Sequence, residues 1–269
     1  MSDARFSFGR NWRAFSTHLA PPRVAEAEAS LRSKLEVETL EGLRFLDIGS
    51  GSGLFSLAAA RLGATVRSFD YDVDSVACTE ALRSQHAAEH PSWEVSRGDV
   101  LDGPFMDGLG TFDVVYAWGV LHHTGAMWLA LEHAMRRVKP DGKLFIAIYN
   151  DQGLRSHVWW MIKYVYNKLP SPLATPYAAC LGFTAYGLNA ARHLLQGNVR
   201  QAVASLDLER RGRGMRLWHD LVDWIGGFPY EFARFEVLQA YTEARGFEFI
   251  QGKAESSLGC HELVLRRRC

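Results

Sequence analysis

Short apolar runs alternate with segments of helical character between Leu43 and Ile148. The runs carry few charges and end at Gly or Asp, as expected of strands that are buried on both faces of a sheet. Parallel strands need a crossover connection, which is usually a helix, so this alternation predicts an α/β fold. The predicted strands are 43–48, 64–69, 93–96, 112–117, 143–148, 247–252 and 261–265. We therefore expect a seven-stranded, mostly parallel sheet with helices on both faces. Among these helices we expect one at 74–88, with Asp74 as its N-cap, and one at about 231–245.

The alternation is interrupted between residues 154 and 230. This stretch contains no run of strand character and many aromatic residues. It predicts a helical insertion after strand five that acts as a lid over the strand ends. The rest of the chain then divides into an N-terminal arm and helix at 1–42 and a core formed by 43–153 and 231–269.

One segment of the insertion is long, apolar and uncharged. No charged residue occurs between Lys168 and Arg192, but three prolines interrupt the first part of the segment. The uninterrupted part, 177–191, is shorter than the ~20 residues that a helix needs to cross a bilayer. The segment therefore predicts a buried or interfacial helix and no transmembrane span.

Composition narrows the classes of function. The 30 Lys and Arg residues balance the 30 Asp and Glu residues, which disfavours nucleic acid as the main partner, because phosphate binding needs uncompensated cations. Four cysteines are scattered without a Cys-x-x-Cys pair, so we expect reduced thiols and no metal site. The N-terminal stretch has no apolar segment of signal-peptide length. These features predict a cytoplasmic protein and leave its oligomeric state open.

A glycine-rich loop joins the first predicted strand to the first helix of the core. It reads Asp-Ile-Gly-Ser-Gly-Ser-Gly over residues 47–53, and glycines allow a tight turn and a close approach to a ligand. A dinucleotide fingerprint would need a further glycine at Leu54 or Ser56, and the Gly-Lys-Ser/Thr of a P-loop is absent. A carboxylate before the glycines repels a pyrophosphate but suits a cationic ligand such as S-adenosylmethionine, which has an ammonium and a sulfonium group.

This loop resembles the nucleotide-binding motif of class I S-adenosylmethionine-dependent methyltransferases, and the similarity continues over about residues 43–150. The resemblance implies a Rossmann-like fold and S-adenosylmethionine as the cofactor. It implies that Asp70 holds the ribose hydroxyls and that Asp99 meets the adenine, although both positions also suit a turn residue or a helix N-cap. The predicted cofactor-binding residues are Asp47, Gly49, Gly51, Gly53, Asp70, Tyr71, Asp99, Val100 and Trp118, with Trp12 of the N-terminal arm closing over the cofactor.

The same resemblance also indicates which class of molecule accepts the methyl group. Methyltransferases that act on base amines or glutamine amides typically carry an Asn/Asp-Pro-Pro-Tyr/Phe signature at the end of strand four, where residues 116–119 read Tyr-Ala-Trp-Gly. The chain is more similar to quinone-biosynthesis and other small-molecule methylases, which often show His residues at this place. We therefore expect methyl transfer to a small-molecule acceptor, at oxygen and by direct displacement. Methylation of a tRNA or a protein side chain, and a non-catalytic cofactor-binding scaffold, are the alternatives.

Three histidines are candidate catalytic bases. Direct displacement needs alignment of the reacting atoms at about 3–3.5 Å, and it needs a base only where the acceptor must lose a proton. His122 and His123 follow strand four, at the edge where open α/β sheets bind ligands, and either is a base or a residue that bonds the loop backbone. His219 precedes Asp223 by one helical turn. The two residues are either a base with the carboxylate that orients it or a pair on the protein surface. The predicted acceptor-binding residues are Tyr149, Asn150, Asp151, Trp218 and Tyr230.

Overall fold

The computed structural model describes residues 21–86, 92–205 and 217–269. In chain order the helices and strands are α1 (Pro21–Leu35), β1 (Arg44–Ile48), α2 (Leu54–Arg61), β2 (Thr65–Asp70), α3 (Val73–His86), β3 (Trp93–Arg97), α4 (Gly103–Gly108), β4 (Phe112–Trp118), α5 (Met127–Arg136), β5 (Val138–Tyr149), α6 (Leu154–Lys168), α7 (Ser171–Leu195), α8 (Val199–Ser205), α9 (Leu217–Gly226), α10 (Phe235–Glu243), β6 (Phe247–Lys253) and β7 (Cys260–Arg267). A 3₁₀ turn, Leu121–His123, lies between β4 and α5.

Seven strands form one sheet in the order β3-β2-β1-β4-β5-β7-β6. The first five strands pair in parallel, and β7 runs antiparallel to both of its neighbours. The strand order changes direction between β1 and β4, and in open α/β sheets the carboxyl ends of the strands at such a point bound the ligand crevice. The predicted seven-stranded, mostly parallel, Rossmann-like sheet is confirmed.

Helices cover both faces of the sheet, and two neighbouring residues of β1 illustrate why. Phe45 belongs to a buried cluster with Leu31 of α1 and Leu57 of α2. Leu46 belongs to the cluster on the opposite face, with Leu131 of α5. Successive side chains of a strand point to opposite faces, so a continuously apolar strand needs a helical layer on each side.

The first part of β5 corrects the predicted start of strand five. The sequence predicts that strand from residue 143, whereas β5 begins at Val138. Phe112 of β4 pairs with Val138, but Val114 pairs with Lys143. This register shift takes residues 139–142 into the strand as a bulge, which local sequence does not reveal because it depends on pairing with β4.

Two helix starts also differ from expectation. The helix predicted from residue 231 begins at Phe235, because β5 holds the preceding segment: Ala233 donates its backbone N–H to the Tyr149 carbonyl at 3.0 Å. Asp74, predicted as an N-cap, lies inside the first turn of α3. Its backbone N–H donates to the Asp72 carboxylate at 2.8 Å, so Asp72 takes that position.

Residues 157–228 form a compact unit distinct from the rest of the chain, and their described part is entirely without strands. Within this unit α7 lies close against α9, since a Cβ added at Gly182 would meet Leu221 Cδ2 at 2.4 Å. The rings of Trp159 and Trp224 meet edge to face, with centroids 5.6 Å apart. No helix in the described ranges has the length and hydropathy that a membrane crossing requires.

The buried face of α5 offers a test of the core. Leu131 is fully buried, whereas Leu129 of the same helix is 44% exposed. Leu131→Ala should lower the free energy of unfolding by about 2–5 kcal/mol, because it removes buried methyl groups and leaves a cavity. Leu129→Ala should change it by less than about 0.5 kcal/mol. Urea unfolding followed by circular dichroism measures both values, and equal effects would contradict this packing.

Candidate active site

The turn after β1 depends on three glycines. Gly49, Gly51 and Gly53 all have positive φ values, of 72°, 56° and 80°, a region that other residues rarely adopt. A Cβ at Gly49 would lie 2.5 Å from both methyl groups of Val120, and one at Gly53 would lie 3.0 Å from Thr79 Cα. The contact with Val120 also joins this turn to the loop that follows β4.

Asp47 lies buried beneath the turn. Its carboxylate accepts a hydrogen bond from the Ser56 hydroxyl at 2.5 Å, and that hydroxyl is 2.7 Å from the hydroxyl of Ser68 on β2. The pKa of Asp47 is raised to about 7, chiefly by burial; the bond from Ser56 opposes this shift and the nearby charge of Asp70 contributes to it. A direct contact of Asp47 with a cofactor stays a prediction, since the described partner of its carboxylate is Ser56.

Asp70 ends β2 beside the glycine turn. Its carboxylate accepts hydrogen bonds from the backbone N–H groups of Gly51, at 3.0 Å, and Asp72, at 2.9 Å. Burial raises the pKa of Asp70 to about 6, although these two bonds act in the opposite direction. The structure therefore brings together the two carboxylates that the sequence pattern singled out. Tyr71, the next residue after Asp70, is 40% exposed. The guanidinium carbon of Arg97 lies 5.8 Å from the centroid of its ring.

Asp99 lies at the next strand end of the same edge. The Gly98 N–H donates to the Asp70 carbonyl at 3.0 Å, which ties the end of β3 to the end of β2. The Asp99 carboxylate accepts from the Leu101 N–H at 2.9 Å, as in a turn. The Val100 side chain is buried in the core, so only its backbone could meet a ligand. Trp118 is 39% exposed, and its indole N–H donates to Glu262 Oε1 of β7 at 3.1 Å.

The two histidines after β4 have different hydrogen bonds. His122 is fully buried, and its Nδ1 accepts from the Tyr149 N–H at 3.3 Å, so its neutral form carries the proton on Nε2. His123 is half-buried, and its Nδ1 lies 2.7 Å from the Pro229 carbonyl. A carbonyl can only accept, so the neutral form of His123 carries its proton on Nδ1 and its lone pair on Nε2. That is the tautomer in which an imidazole presents a base.

The segment at 229–233 holds this histidine loop against β5. Glu231 donates its backbone N–H to the His122 carbonyl at 2.9 Å, and its carboxylate accepts from the Met127 N–H at 3.0 Å, at the start of α5. Burial raises the pKa of Glu231. Sequence reasoning missed Glu231, because its partners lie far away along the chain and no local pattern indicates them.

Tyr149 and Tyr230 complete an aromatic cluster with the two histidines. The Tyr149 ring centroid is 3.9 Å from that of His122, 5.4 Å from that of His123 and 5.0 Å from that of Tyr230. Burial raises the pKa of Tyr230 to about 12, so its phenol is neutral at physiological pH. We call these four residues the β4–β5 aromatic cluster. It brings together two of the three predicted bases and two of the predicted acceptor-binding residues.

Other predicted residues take different places. The Asn150 amide donates to the Ser257 carbonyl at 3.4 Å, and the Asp151 carboxylate accepts from the Gly153 N–H at 2.8 Å, as a turn residue does. Trp218 and His219 belong to α9 in the helical unit, and their side chains lie outside the described part of the structure. Trp12 also lies outside the described residues. Within the described ranges, no group of His, Cys, Asp and Glu side chains could hold a metal ion.

Comparison with known proteins agrees with this geometry. Residues 46–146 match the family model of a methyltransferase domain. A ubiquinone biosynthesis O-methyltransferase of Brucella melitensis is 37% identical over 111 residues, which are 41% of this chain and 43% of that protein. Residues 46–146 are thus similar to the methyltransferase domain of class I S-adenosylmethionine-dependent methyltransferases. A protein of the same name from Parvibaculum lavamentivorans is 34% identical over 136 residues, 50% of this chain and 51% of that protein. The match thus spans about half the length of these curated relatives.

Solved structures share the fold of this chain at low sequence identity. The magnesium protoporphyrin IX methyltransferase of Synechocystis PCC 6803, crystallised with S-adenosylhomocysteine, gives a TM-score of 0.52 at 16% identity, over 91% of this chain and 81% of that chain. An O-methyltransferase family protein from Burkholderia thailandensis gives 0.56 at 13% identity, over 96% of this chain and 60% of that chain. At these identities the likeness concerns the fold.

The raised pKa of Asp47 predicts that the free energy of unfolding decreases as pH rises. The folded state keeps the proton of Asp47 up to about pH 7, whereas the ordinary value is 3.8. Between these values the unfolded state binds fewer protons, so stability falls with increasing pH, by a few kcal/mol in total. Asp47→Asn keeps an oxygen acceptor for Ser56 but has no proton to lose. Urea unfolding from about pH 4 to about pH 8 should give a steeper decline in the wild type than in Asp47→Asn; parallel profiles would refute the assignment.

Proposed function

We propose that this chain binds S-adenosylmethionine at the turn after β1 and transfers its methyl group to a hydroxyl oxygen of a small molecule. The observation that carries the proposal is the contact between two loops at the strand-order reversal. The glycine turn touches Val120, and two residues later the chain reaches His122 and then His123, whose Nδ1 is bound to a carbonyl. A cofactor turn and a candidate base therefore occupy neighbouring strand ends.

The residues at this edge fit the cofactor. Gly49, Gly51 and Gly53 allow a ligand to approach the backbone, while Asp70 and Asp99 offer carboxylates to hydroxyl and amine groups. Burial without a fixed cation raises the pKa values of Asp47 and Asp70, so a cationic ligand nearby would stabilise their ionised forms. When bound, the cofactor supplies a methyl group activated by a sulfonium.

The acceptor side of the proposal rests on the β4–β5 aromatic cluster. A hydroxyl that attacks the methyl group must lose a proton, and an imidazole with its lone pair on Nε2 can take it. Aromatic rings beside such a base favour a flat or apolar acceptor. The curated relatives are named as O-methyltransferases of ubiquinone biosynthesis, which supports oxygen as the acceptor atom. That Trp12, Tyr71 and Trp118 contact the cofactor, and that 154–230 acts as a lid, stay predictions.

Cofactor binding can be tested without an acceptor. Asp70→Ala removes the carboxylate proposed to bind the ribose hydroxyls and should weaken S-adenosylhomocysteine binding by about tenfold to a hundredfold. Isothermal titration calorimetry measures the affinity. Asp102→Ala is the matched control, because the Asp102 carboxylate caps α4 through the Phe105 N–H and the substitution keeps the backbone bond from Asp102 to the Asp99 carbonyl. The cofactor assignment would be contradicted if the wild-type protein bound no S-adenosylhomocysteine. It would also be contradicted if the Asp70→Ala variant kept the wild-type affinity.

Catalysis can be tested at His123 with labelled S-adenosylmethionine and catechol as the acceptor probe. His123→Ala should lower kcat by about a hundredfold or more and leave KM for the cofactor unchanged. Because the base must be unprotonated, the wild-type rate should rise with pH until the imidazole is neutral, and the variant should lack this rise.

His133→Ala is the matched control for this experiment. His133 on α5 makes the same type of bond, from Nδ1 to the Val100 carbonyl at 2.7 Å, but does not belong to the aromatic cluster. Its removal should leave turnover within about twofold of the wild type. If His123→Ala keeps full turnover and the wild-type pH profile, His123 is not the base.

A further inference from the structure

An exposed row of large apolar side chains runs along α7. Its members are 53–90% exposed: Leu173, Phe183, Leu188, Leu194 and Leu195. At about 100° per residue they fall within an arc of about 140°, so they share one face over most of the length of the helix. We call these five residues the α7 apolar face.

The opposite side of α7 faces the interior of its own helical unit. Ala178 is fully buried, and Gly182, on the same side, lies against Leu221 of α9. The helix is thus already anchored through one side. The α7 apolar face is a second hydrophobic surface, of a kind that soluble monomers rarely expose unless it binds something.

The same helical unit carries further exposed apolar side chains. Val199 and Val203, one turn apart on α8, are 60% and 66% exposed, and Met161 on α6 is 62% exposed. Exposed apolar surface of this amount indicates a binding surface.

The described charged side chains that are exposed on this helical unit have one sign. No Asp or Glu occurs between Asp151 and Asp207, whereas Lys168, Arg192 and Arg200 are exposed there. An apolar helix face with cations among its described neighbours matches a bilayer surface with anionic headgroups, where apolar side chains enter the headgroup region and cations meet the phosphates. A second copy of the chain would instead bring equal cations together.

We propose that the α7 apolar face docks this methyltransferase on the surface of an anionic lipid bilayer. The helix would lie along the membrane plane, since no described helix qualifies as a membrane span. Burial of the apolar side chains supplies the attachment, and Lys168, Arg192 and Arg200 select the anionic surface. This inference does not depend on the proposed methyl transfer.

Vesicle flotation with the full chain tests the docking. The probes are vesicles of phosphatidylglycerol and phosphatidylcholine in equal parts, and vesicles of phosphatidylcholine alone. We expect at least about tenfold stronger partitioning onto the anionic vesicles, and a decrease at high salt. Phe183→Ser combined with Leu188→Gln should weaken that partitioning by at least about tenfold. Arg192→Glu combined with Arg200→Glu should weaken it at low salt without changing any apolar residue.

The matched control combines Val73→Ser and Val237→Ser. These residues are 56% and 48% exposed but belong to the other compact unit, so their loss should change partitioning by less than about twofold. Equal loss in this control, or no preference of the wild type for anionic vesicles, would overturn the proposal. A wild-type dimer that Phe183→Ser with Leu188→Gln converts to a monomer, without any vesicle binding, would also overturn it and assign the face to contact between copies. S-adenosylhomocysteine binding, measured in parallel, reports on the proposed function separately.

Discussion

The backbone conformation at the end of β1 is the constraint on which the candidate site depends. Three alternate residues take positive φ, and side chains of Val120 and Thr79 fill the space where a Cβ would point at Gly49 and Gly53. With this turn in place, the Gly51 N–H reaches the carboxylate of Asp70 on the neighbouring strand. The same turn leaves Asp47 beneath it, buried and bonded to Ser56. The shape of the candidate cofactor turn and the surroundings of two carboxylates thus follow from one short stretch of backbone.

The acceptor side depends on a different kind of interaction. Segment 229–233 returns to the sheet after the helical unit and places the Pro229 carbonyl against His123 and the Glu231 carboxylate at the start of α5. A distant part of the chain therefore selects the tautomer of one histidine, whereas a backbone N–H of β5 selects that of the other. The neutral forms of two adjacent histidines therefore carry their protons on different ring nitrogens.

Much of the fold and of the cofactor side was predictable because the relevant signals are local. Apolar runs of strand length, separated by helical segments, indicate a parallel sheet, and the glycines that need positive φ stand in a readable motif. The bulge in β5 and the late start of α10 were not predictable. Both arise from pairing between segments that are distant in sequence, and a residue's propensity does not record its partner.

The sequence by itself determined the α/β class, the strand order along the chain, the glycine turn and the acids that end β1, β2 and β3. It could name His122 and His123 together but could not distinguish them. Only the tertiary structure separated the two, since the proton position on an imidazole depends on the donor or acceptor that another segment brings to its nitrogen. Tertiary packing likewise decided that one side of α7 is buried and the other exposed, because α7 is apolar on both sides and its composition does not indicate which side packs.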